Sequence, residues 1–333
     1  MTDDTPPRDA AERLQAIAGA HRYSRLLFTA NHLGIFAFTQ SPRTADEIAA
    51  ARLCHERAAQ PLLDALVGAG LLDVQNGRYV NTPEGACLAL GHPSGFAHFV
   101  AHMAEACECW DRLDQCLRSG RPAVRGRHTP GSREQREYAL AMEAVARRNA
   151  PDILAAVDFS PFRHLLDMGG GLGAHAIAFL DAYPRLRITL FEAPGTAERA
   201  RQHIADAGLG DRCAVRAGDF LRDAPGTGYD AVWLSNVLHA YGPVANQTLL
   251  RRCFESLAPG GVLFARDFFL DEDGATPAFN ALFGLHMLVH TDEGRTYRVD
   301  EIAELTRRAG FQPGRLLRNT AKAGIWVARK GGG

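Results

Sequence analysis

The stretch Leu165-Leu166-Asp167-Met168-Gly169-Gly170-Gly171-Leu172-Gly173 leaves this chain few folds to choose from. Two apolar residues run into an acid and then into four glycines within five positions, and Ala174 to Leu180 reads as the first turns of a helix. That is a strand, a tight turn and a helix start. Glycine permits positive φ and lets a ligand approach the main chain closely. The helix that follows aims unpaired N–H groups and the positive end of its dipole back at the turn. A nucleotide-like small molecule is expected there.

The flanking sequence extends the pattern. Arg187–Glu192, Cys213–Phe220, Tyr229–Ser235 and Val262–Asp267 read as strands or strand–turn units. Between them, residues 196–207 and 247–257 read as helices, and Pro259-Gly260-Gly261 breaks the chain before the fifth strand. Alternating strands and helices build a doubly wound parallel sheet, which binds ligands at the carboxyl ends of its strands. The acids and polar residues collect at those ends. Glu192 lies 18 residues past the Gly169–Ala174 turn, near the spacing of an acid that holds ribose hydroxyls. Asp219 and Phe220 end the third strand and could bracket a purine. His239 follows the fourth strand, and Asp267 ends the fifth. Gly169, Gly171 and Ala174 also satisfy the relaxed dinucleotide pattern G-x-G-x-x-A, so a nicotinamide enzyme stays open on the glycines alone. The preceding Asp167, the second acid–aromatic pair and a closing hairpin (residues 315–318 and 324–329) weigh against it.

A chain of 333 residues is long for one core, so two domains are expected, with the boundary near residue 105. Residues 12–32 read as one amphipathic helix with Leu14, Ile17, Tyr23, Leu26, Leu27 and Ala30 on or near one face. Gly34 caps a helix end, and Thr44 with Glu47 forms a capping box. A third helix runs over residues 55–69, kinked or begun at Pro61. Asn76-Gly77 between two short apolar runs marks a hairpin. Three helices and a hairpin make a winged helix. Its third helix offers Arg57 and Gln60 but is otherwise apolar and acidic, which suits packing against protein better than DNA. A monomer would leave the Leu14–Leu27 face wet, so a homodimer through this domain is expected. Residues 96–117 and 133–150 read as helices around a loop rich in Gly, Pro and Arg. The second of these leads into the glycine strand and could line a pocket with Tyr138 and Met142.

The net charge of −1 argues against a nucleic-acid partner, and no apolar run is long enough to span a membrane. Seven scattered cysteines, an odd number, fit reduced thiols in a cytoplasmic protein. Cys107 and Cys109 form a CxC pair near His102, but no second pair at zinc spacing accompanies them.

Taken together, Asp167-x-Gly169-x-Gly171-x-Gly173, Phe191-Glu192, Gly218-Asp219-Phe220, Ser235-Asn236-Val237-Leu238-His239 and Pro259-Gly260-Gly261 resemble the S-adenosylmethionine-dependent O-methyltransferases of the caffeate and acetylserotonin type. The N-terminal segments Leu33–Phe36, Leu62–Leu66 and Gly70-Leu71-Leu72 through Tyr79–Pro83 resemble that family's dimerisation domain, so the likeness covers nearly the whole chain. It implies an α/β fold, with a Rossmann-like doubly wound class I methyltransferase domain over residues 106–333. It also implies a mainly α winged-helix dimerisation domain over residues 1–105. The implied cofactor is S-adenosylmethionine, its methionine end held by the glycine turn with Asp167, Gly169 and Gly171. Glu192 would hold the ribose, and Gly218, Asp219 and Phe220 the adenine, with Ser235 as a further contact. His239 sits where the family keeps a general base and Asp267 where it keeps the orienting acid. The acceptor would be a small secondary metabolite bearing a hydroxyl.

The chain also departs from that pattern. Ala240-Tyr241-Gly242 follow the base, where the family usually has an acid and a tryptophan, and the match of Glu293 to a second glutamate is loose. His286 and His290 are i and i+4 on a helix that runs from residue 278 to 289 or just beyond, and they share a face. Both are candidate acceptor contacts. With His239, His290 could instead hold a metal, as in related C-methyltransferases of 2-oxo acids, where it would stabilise an enolate. Three classes therefore stand: base-catalysed methyltransferase, metal-dependent C-methyltransferase and winged-helix regulator.

Overall fold

The computed structural model describes residues 9–52, 54–124, 132–318 and 322–332. Residues 1–8 and much of the Gly-, Pro- and Arg-rich loop (125–131) lie outside them. The chain divides into two compact units, residues 1–105 and 106–333.

The first unit opens with helices α1 (Ala10–Gly19) and α2 (His21–His32) where one helix was expected. Ala20 keeps helical φ and ψ, but the His21 Nδ1 hydrogen-bonds the Ala18 carbonyl at 2.9 Å and competes with the backbone ladder. Helices α3 (Ile35–Phe38), α4 (Ala45–Arg52) and α5 (Glu56–Gly68) follow. The capping box before α4 is present: the Glu47 N–H donates to Thr44 Oγ1, and the Thr44 N–H donates to Glu47 Oε2. Helix α5 runs through Pro61 and is capped by His55, whose Nδ1 accepts from the Arg57 N–H. Strands β1 (Leu72–Gln75) and β2 (Arg78–Asn81) pair antiparallel around Asn76-Gly77, both with positive φ, as a two-residue hairpin turn requires. Ala30, Ile35, Phe36, Ile48, Leu63, Leu66 and Leu72 form this unit's core. Helix α6 (Pro83–Ala86) follows the hairpin.

The expected helix over residues 96–117 is two, α7 (Phe96–Trp110) and α8 (Leu113–Ser119), because the ladder tightens to i→i−3 at Arg112 and restarts. Helix α9 (Arg133–Ala156) runs past Ala150, where it was expected to stop, and through Pro151. Fully buried Ile153, two residues on, anchors the continuing turn, so packing overrides the local cost of proline.

A seven-stranded sheet forms the centre of the second unit: β3 (His164–Met168), β4 (Arg187–Glu192), β5 (Cys213–Ala217), β6 (Tyr229–Ser235), β7 (Leu257–Asp267), β8 (Arg315–Arg318) and β9 (Gly324–Arg329), in the order β5-β4-β3-β6-β7-β9-β8. The first five strands pair in parallel, and the closing hairpin pairs antiparallel through β9. Pro259-Gly260-Gly261 does not precede β7 but lies inside it. The register jumps from Tyr229↔Leu257 to Ala231↔Val262, so the motif bulges out of the ladder. Strand alternation divides the core. Leu165, Ala231, Trp233, Val262 and Phe264 face one layer, while Leu166, Val232, Leu234, Leu263 and Ala265 face the other. Helices α10 (Ala174–Ala182), α11 (Pro194–Asp206), α12 (Pro243–Ser256), α13 (Ala278–His290) and α14 (Val299–Ala309) complete the unit. The strand order reverses at β3, between β4 and β6, which places the ligand crevice at their carboxyl ends.

Candidate functional site

The turn after β3 is shaped by backbone geometry that side chains resist. Gly169, Gly171 and Gly173 have φ of 74°, 58° and 93°. At Gly170 a Cβ would lie 2.6 Å from Asp167 Oδ2, so the turn folds tightly over that carboxyl. Asp167 is 2% exposed, and its Oδ2 meets no hydrogen-bond partner among the described residues. Burial, aided by the nearby Glu192, pushes its pKa up to about 7. A buried carboxyl lacking a partner is suited to a cation in the crevice.

Glu192 ends β4 and reaches back to the same turn. Its Oε2 accepts from the Gly171 N–H at 2.9 Å and its Oε1 from the Ala193 N–H at 2.8 Å. Burial raises its pKa, while those two N–H donors oppose the shift. Gly218 follows β5 and is packed closely: a Cβ there would lie 2.4 Å from the ring of Phe191. Asp219 is exposed and shapes its own turn, accepting the Leu221 N–H. The Phe220 ring lies beside Gly169 and meets Tyr241 edge-on at 5.7 Å. Ser235 closes β6 with a buried Oγ that has no partner among the described residues. Tyr138, on α9, keeps 38% of its surface open, yet burial of its hydroxyl raises its pKa, with the Glu192 carboxylate and the Tyr241 phenol adding to the shift. Crowding combined with exposure is the signature of a residue lining a cleft. Met142, one turn on, is half-buried.

His239 stands in a single 3₁₀ turn, Leu238–Ala240, just after β6. Its Nδ1 lies 2.7 Å from Asp267 Oδ1, and the two side chains are 13% and 3% exposed. A carboxylate only accepts, so Nδ1 carries the proton and Nε2 keeps its lone pair. Asp267 is held in turn by the N–H groups of Phe268 (2.8 Å, to Oδ1) and His239 (3.2 Å, to Oδ2). Buried Asn246 on α12 secures the same segment, donating to the carbonyls of Leu238 and Tyr241 at 2.8 and 3.1 Å.

An aromatic wall adjoins the imidazole. Phe283 meets His239 edge-on at 5.0 Å and Phe268 at 4.7 Å, and Phe279 stacks on Phe283. The row continues along α13 to His286 and His290, whose ring centroids are 4.2 Å apart. Trp110 Nε1–H donates to His286 Nδ1 at 3.1 Å, and His290 Nδ1–H donates to the His286 carbonyl at 2.8 Å. No group of three or more His, Cys, Asp and Glu side chains is placed to hold a metal among the described residues. Ring contacts link His239 to His290 through Phe283 and His286. Glu293 lies against Gly242, on the loop after His239.

The structure thus brings Asp167, Gly169, Gly171, Glu192 and Phe220 around one turn, and His239, Asp267 and the α13 histidines around the aromatic wall. Phe268, Phe279, Phe283, Trp110, Tyr241 and Asn246 are parts of the site that the sequence reading did not single out. Asn246 left a signal, an amide in line with the apolar residues Leu249, Leu250 and Cys253 on the inner face of its helix.

A model of the O-methyltransferase domain matches residues 119–312, and one of the O-methyltransferase dimerisation domain matches residues 15–90. The chain belongs to the O-methyltransferase family. Among its relatives is the 3-hydroxy-5-methyl-1-naphthoate 3-O-methyltransferase of Streptomyces sahachiroi, 31% identical over 84% of this chain and 81% of that protein. Another is the aclacinomycin 10-hydroxylase RdmB of Streptomyces purpurascens, 36% identical over 77% of this chain and 72% of that protein. The crystal structure of human N-acetylserotonin methyltransferase in complex with SAM superposes with a TM-score of 0.87 at 27% identity, covering 98% and 99% of the two chains. As a family member the chain carries a dimerisation domain, and no helix among its described residues is long and apolar enough to cross a membrane.

Proposed function

We propose that this O-methyltransferase-family chain methylates a hydroxyl on an aromatic small molecule of secondary metabolism, with S-adenosylmethionine as donor and His239 as general base. The observation that carries the reading is the His239–Asp267 pair at 2.7 Å, set beside an aromatic wall. When bound, S-adenosylmethionine supplies an electrophilic methyl group on a positively charged sulfur. The crevice fits it. The buried, unpartnered Asp167 Oδ2 and the glycine turn would hold its cationic methionine end, and Glu192, tied to that turn through the Gly171 N–H, would take the ribose hydroxyls. Gly218, Asp219 and Phe220 line the adenine side, and Ser235 offers a further polar contact.

A phenol is mostly protonated at neutral pH. His239 Nε2 takes its proton, which leaves the oxygen nucleophilic, and Asp267 stabilises the imidazolium that forms. The flat rings of Phe268, Phe279 and Phe283 favour a flat acceptor and hold its oxygen near the base, with Tyr138, Met142, His286 and His290 bordering the same space. The naphthoate O-methyltransferase relative acts on an acceptor of this kind by its name.

In this reading residues 1–105 dimerise and residues 106–333 carry the chemistry, in the cytoplasm, where the odd set of seven cysteines stays reduced. The test is incubation of the purified protein with methyl-labelled S-adenosylmethionine and a panel of hydroxylated polycyclic aromatics, read by mass spectrometry beside the H239Q variant. Label on an acceptor oxygen, lost in H239Q, supports the proposal. Donor binding with hydroxylated, unlabelled products would move the chain toward the chemistry of its hydroxylase-named relative. Absence of donor binding would sink the reading altogether.

A further inference from the structure

Two consecutive residues of β7 hold the two ends of the segment that carries His239. Strand alternation points Arg266 toward the layer of Val262 and Phe264 and Asp267 toward that of Leu263 and Ala265. Asp267 binds the far end of the segment, at the His239 ring and N–H. Arg266 binds the near end. Its Nη1 donates to Asn236 Oδ1 at 3.1 Å, and its carbonyl accepts the Asn236 N–H at 2.9 Å. Asn236 has φ of 56°, one of two non-glycine residues with positive φ among the described residues. Asparagine tolerates that conformation better than most residues, but it still needs support.

Arg266 is an expensive residue to place here. It is 2% exposed, and its Nε finds no partner among the described residues. Burial pulls its pKa down, and Asp267 and, less strongly, Asp152 on α9 offset only part of that. An apolar side chain of similar length would fill the same volume without desolvating a charge. What such a side chain could not do is donate to Asn236. Between the two anchors, Val237 and Leu238 are buried, and Val237 Cγ2 lies against Gly169 of the cofactor turn. A change in the Asn236 turn therefore moves His239 relative to that turn.

We propose that Arg266 is a positioning residue for His239: by holding Asn236 in the left-handed conformation it fixes the direction in which the segment leaves β6, while Asp267 fixes its end. This rests on the reading of His239 as the base.

The experiment compares R266M, N236A, N236G and R266M/N236G with the wild type. It reads kcat, the Kd for S-adenosylmethionine, and the low-field proton resonance of the His239–Asp267 hydrogen bond, assigned by its loss in H239Q. R266M and N236A should lower kcat by about 10- to 100-fold, the scale of a small misplacement of a reacting group. Donor Kd should stay within about twofold, and the low-field resonance should shift or broaden. N236G should lose less than N236A, because glycine adopts positive φ unaided. R266M/N236G should be no worse than N236G and better than R266M, since Arg266 then has no side chain to hold. Multiplying effects in the double variant, or an unmoved resonance in R266M, would overturn the proposal. If R266M does not fold, the N236A and N236G pair decides: equal kcat in the two overturns it. Full activity in H239Q would remove the base reading instead, and the resonance would still report whether Arg266 places His239.

Discussion

His239 and Asp267 share a hydrogen bond of 2.7 Å between Nδ1 and Oδ1, and the same carboxylate also binds the backbone N–H of His239. The acid thus fixes both the tautomer and the position of the imidazole. Replacing His239 with Gln should lower kcat by about 10²–10⁴-fold, the usual worth of a positioned general base, with donor Kd unchanged. D267N keeps the shape but brings an NH₂ group that donates to Nδ1 and drives the proton to Nε2. It should fall nearly as far as H239Q. Steady-state kinetics with donor titration checks both. A D267N variant at wild-type kcat would separate Asp267 from the chemistry.

Asp167 makes donor-free stability pH-dependent in an unusual direction. Its pKa is about 7 in the folded protein against 3.8 ordinarily, so the native state holds the extra proton between those values. Stability contributed by this group therefore falls as pH rises from about 4 to about 7 and is level above that. A cationic donor reverses the balance by favouring the carboxylate, so binding should release a proton below pH 7. Donor affinity should then rise up to about tenfold per pH unit toward pH 7. Above that, the donor's own amino group begins to lose its charge, near 7.7–8.0. Calorimetry in two buffers of different ionisation enthalpy measures the released proton. D167N should abolish the release and flatten the difference in melting temperature between pH 5 and pH 7.

The parts of this site that were legible in the sequence are those written by local chemistry. Turn glycines, a strand ending in Asp167 or Glu192, and a histidine just past a strand are each fixed by neighbours in the chain, and the sheet topology then places strand ends together. The parts that were not legible depend on contacts between distant elements. Phe268 follows β7 and Phe283 lies on α13, and nothing in their spacing shows that they meet across His239. The helix errors have the same origin. The break at Ala20 depends on where the His21 ring turns, and the continuation through Pro151 depends on the burial of Ile153.

The glycines of the cofactor turn should separate by mechanism. Gly170 lacks positive φ, but a Cβ there would lie 2.6 Å from Asp167 Oδ2 and 2.8 Å from Leu190 Cγ. Gly218 is similar, with the fully packed Phe191 ring in the way. Overpacking of this kind costs about 1–3 kcal/mol, so G170A and G218A should both destabilise by that amount and weaken donor binding. Gly171 has open space around its Cβ position and a φ of 58°, so G171A should show the left-handed strain alone, about 1–2 kcal/mol. Chemical denaturation with and without donor resolves them. A G170A variant that binds donor at wild-type affinity would show that the turn is looser than its packing requires.

The apolar face of the first two helices bears on assembly. Leu26, Leu27 and Ala30 pack into the core of the first unit, but Leu14, Ile17 and Tyr23 remain 66%, 66% and 72% exposed in the single chain. Leu14 and Ile17 are three apart on α1 and share a face. Burying such a side chain is worth about 1.5–3 kcal/mol, and a two-fold interface counts each residue twice. A double substitution, Leu14→Asp with Ile17→Asp, would place four carboxylates in that interface without touching the buried core of either unit. Sedimentation should then show monomer at concentrations where the wild type is a dimer, while the circular dichroism spectrum stays essentially unchanged. A variant that remains dimeric would mean that the dimerisation domain uses another face, and that α1 leaves its apolar side open for a different reason.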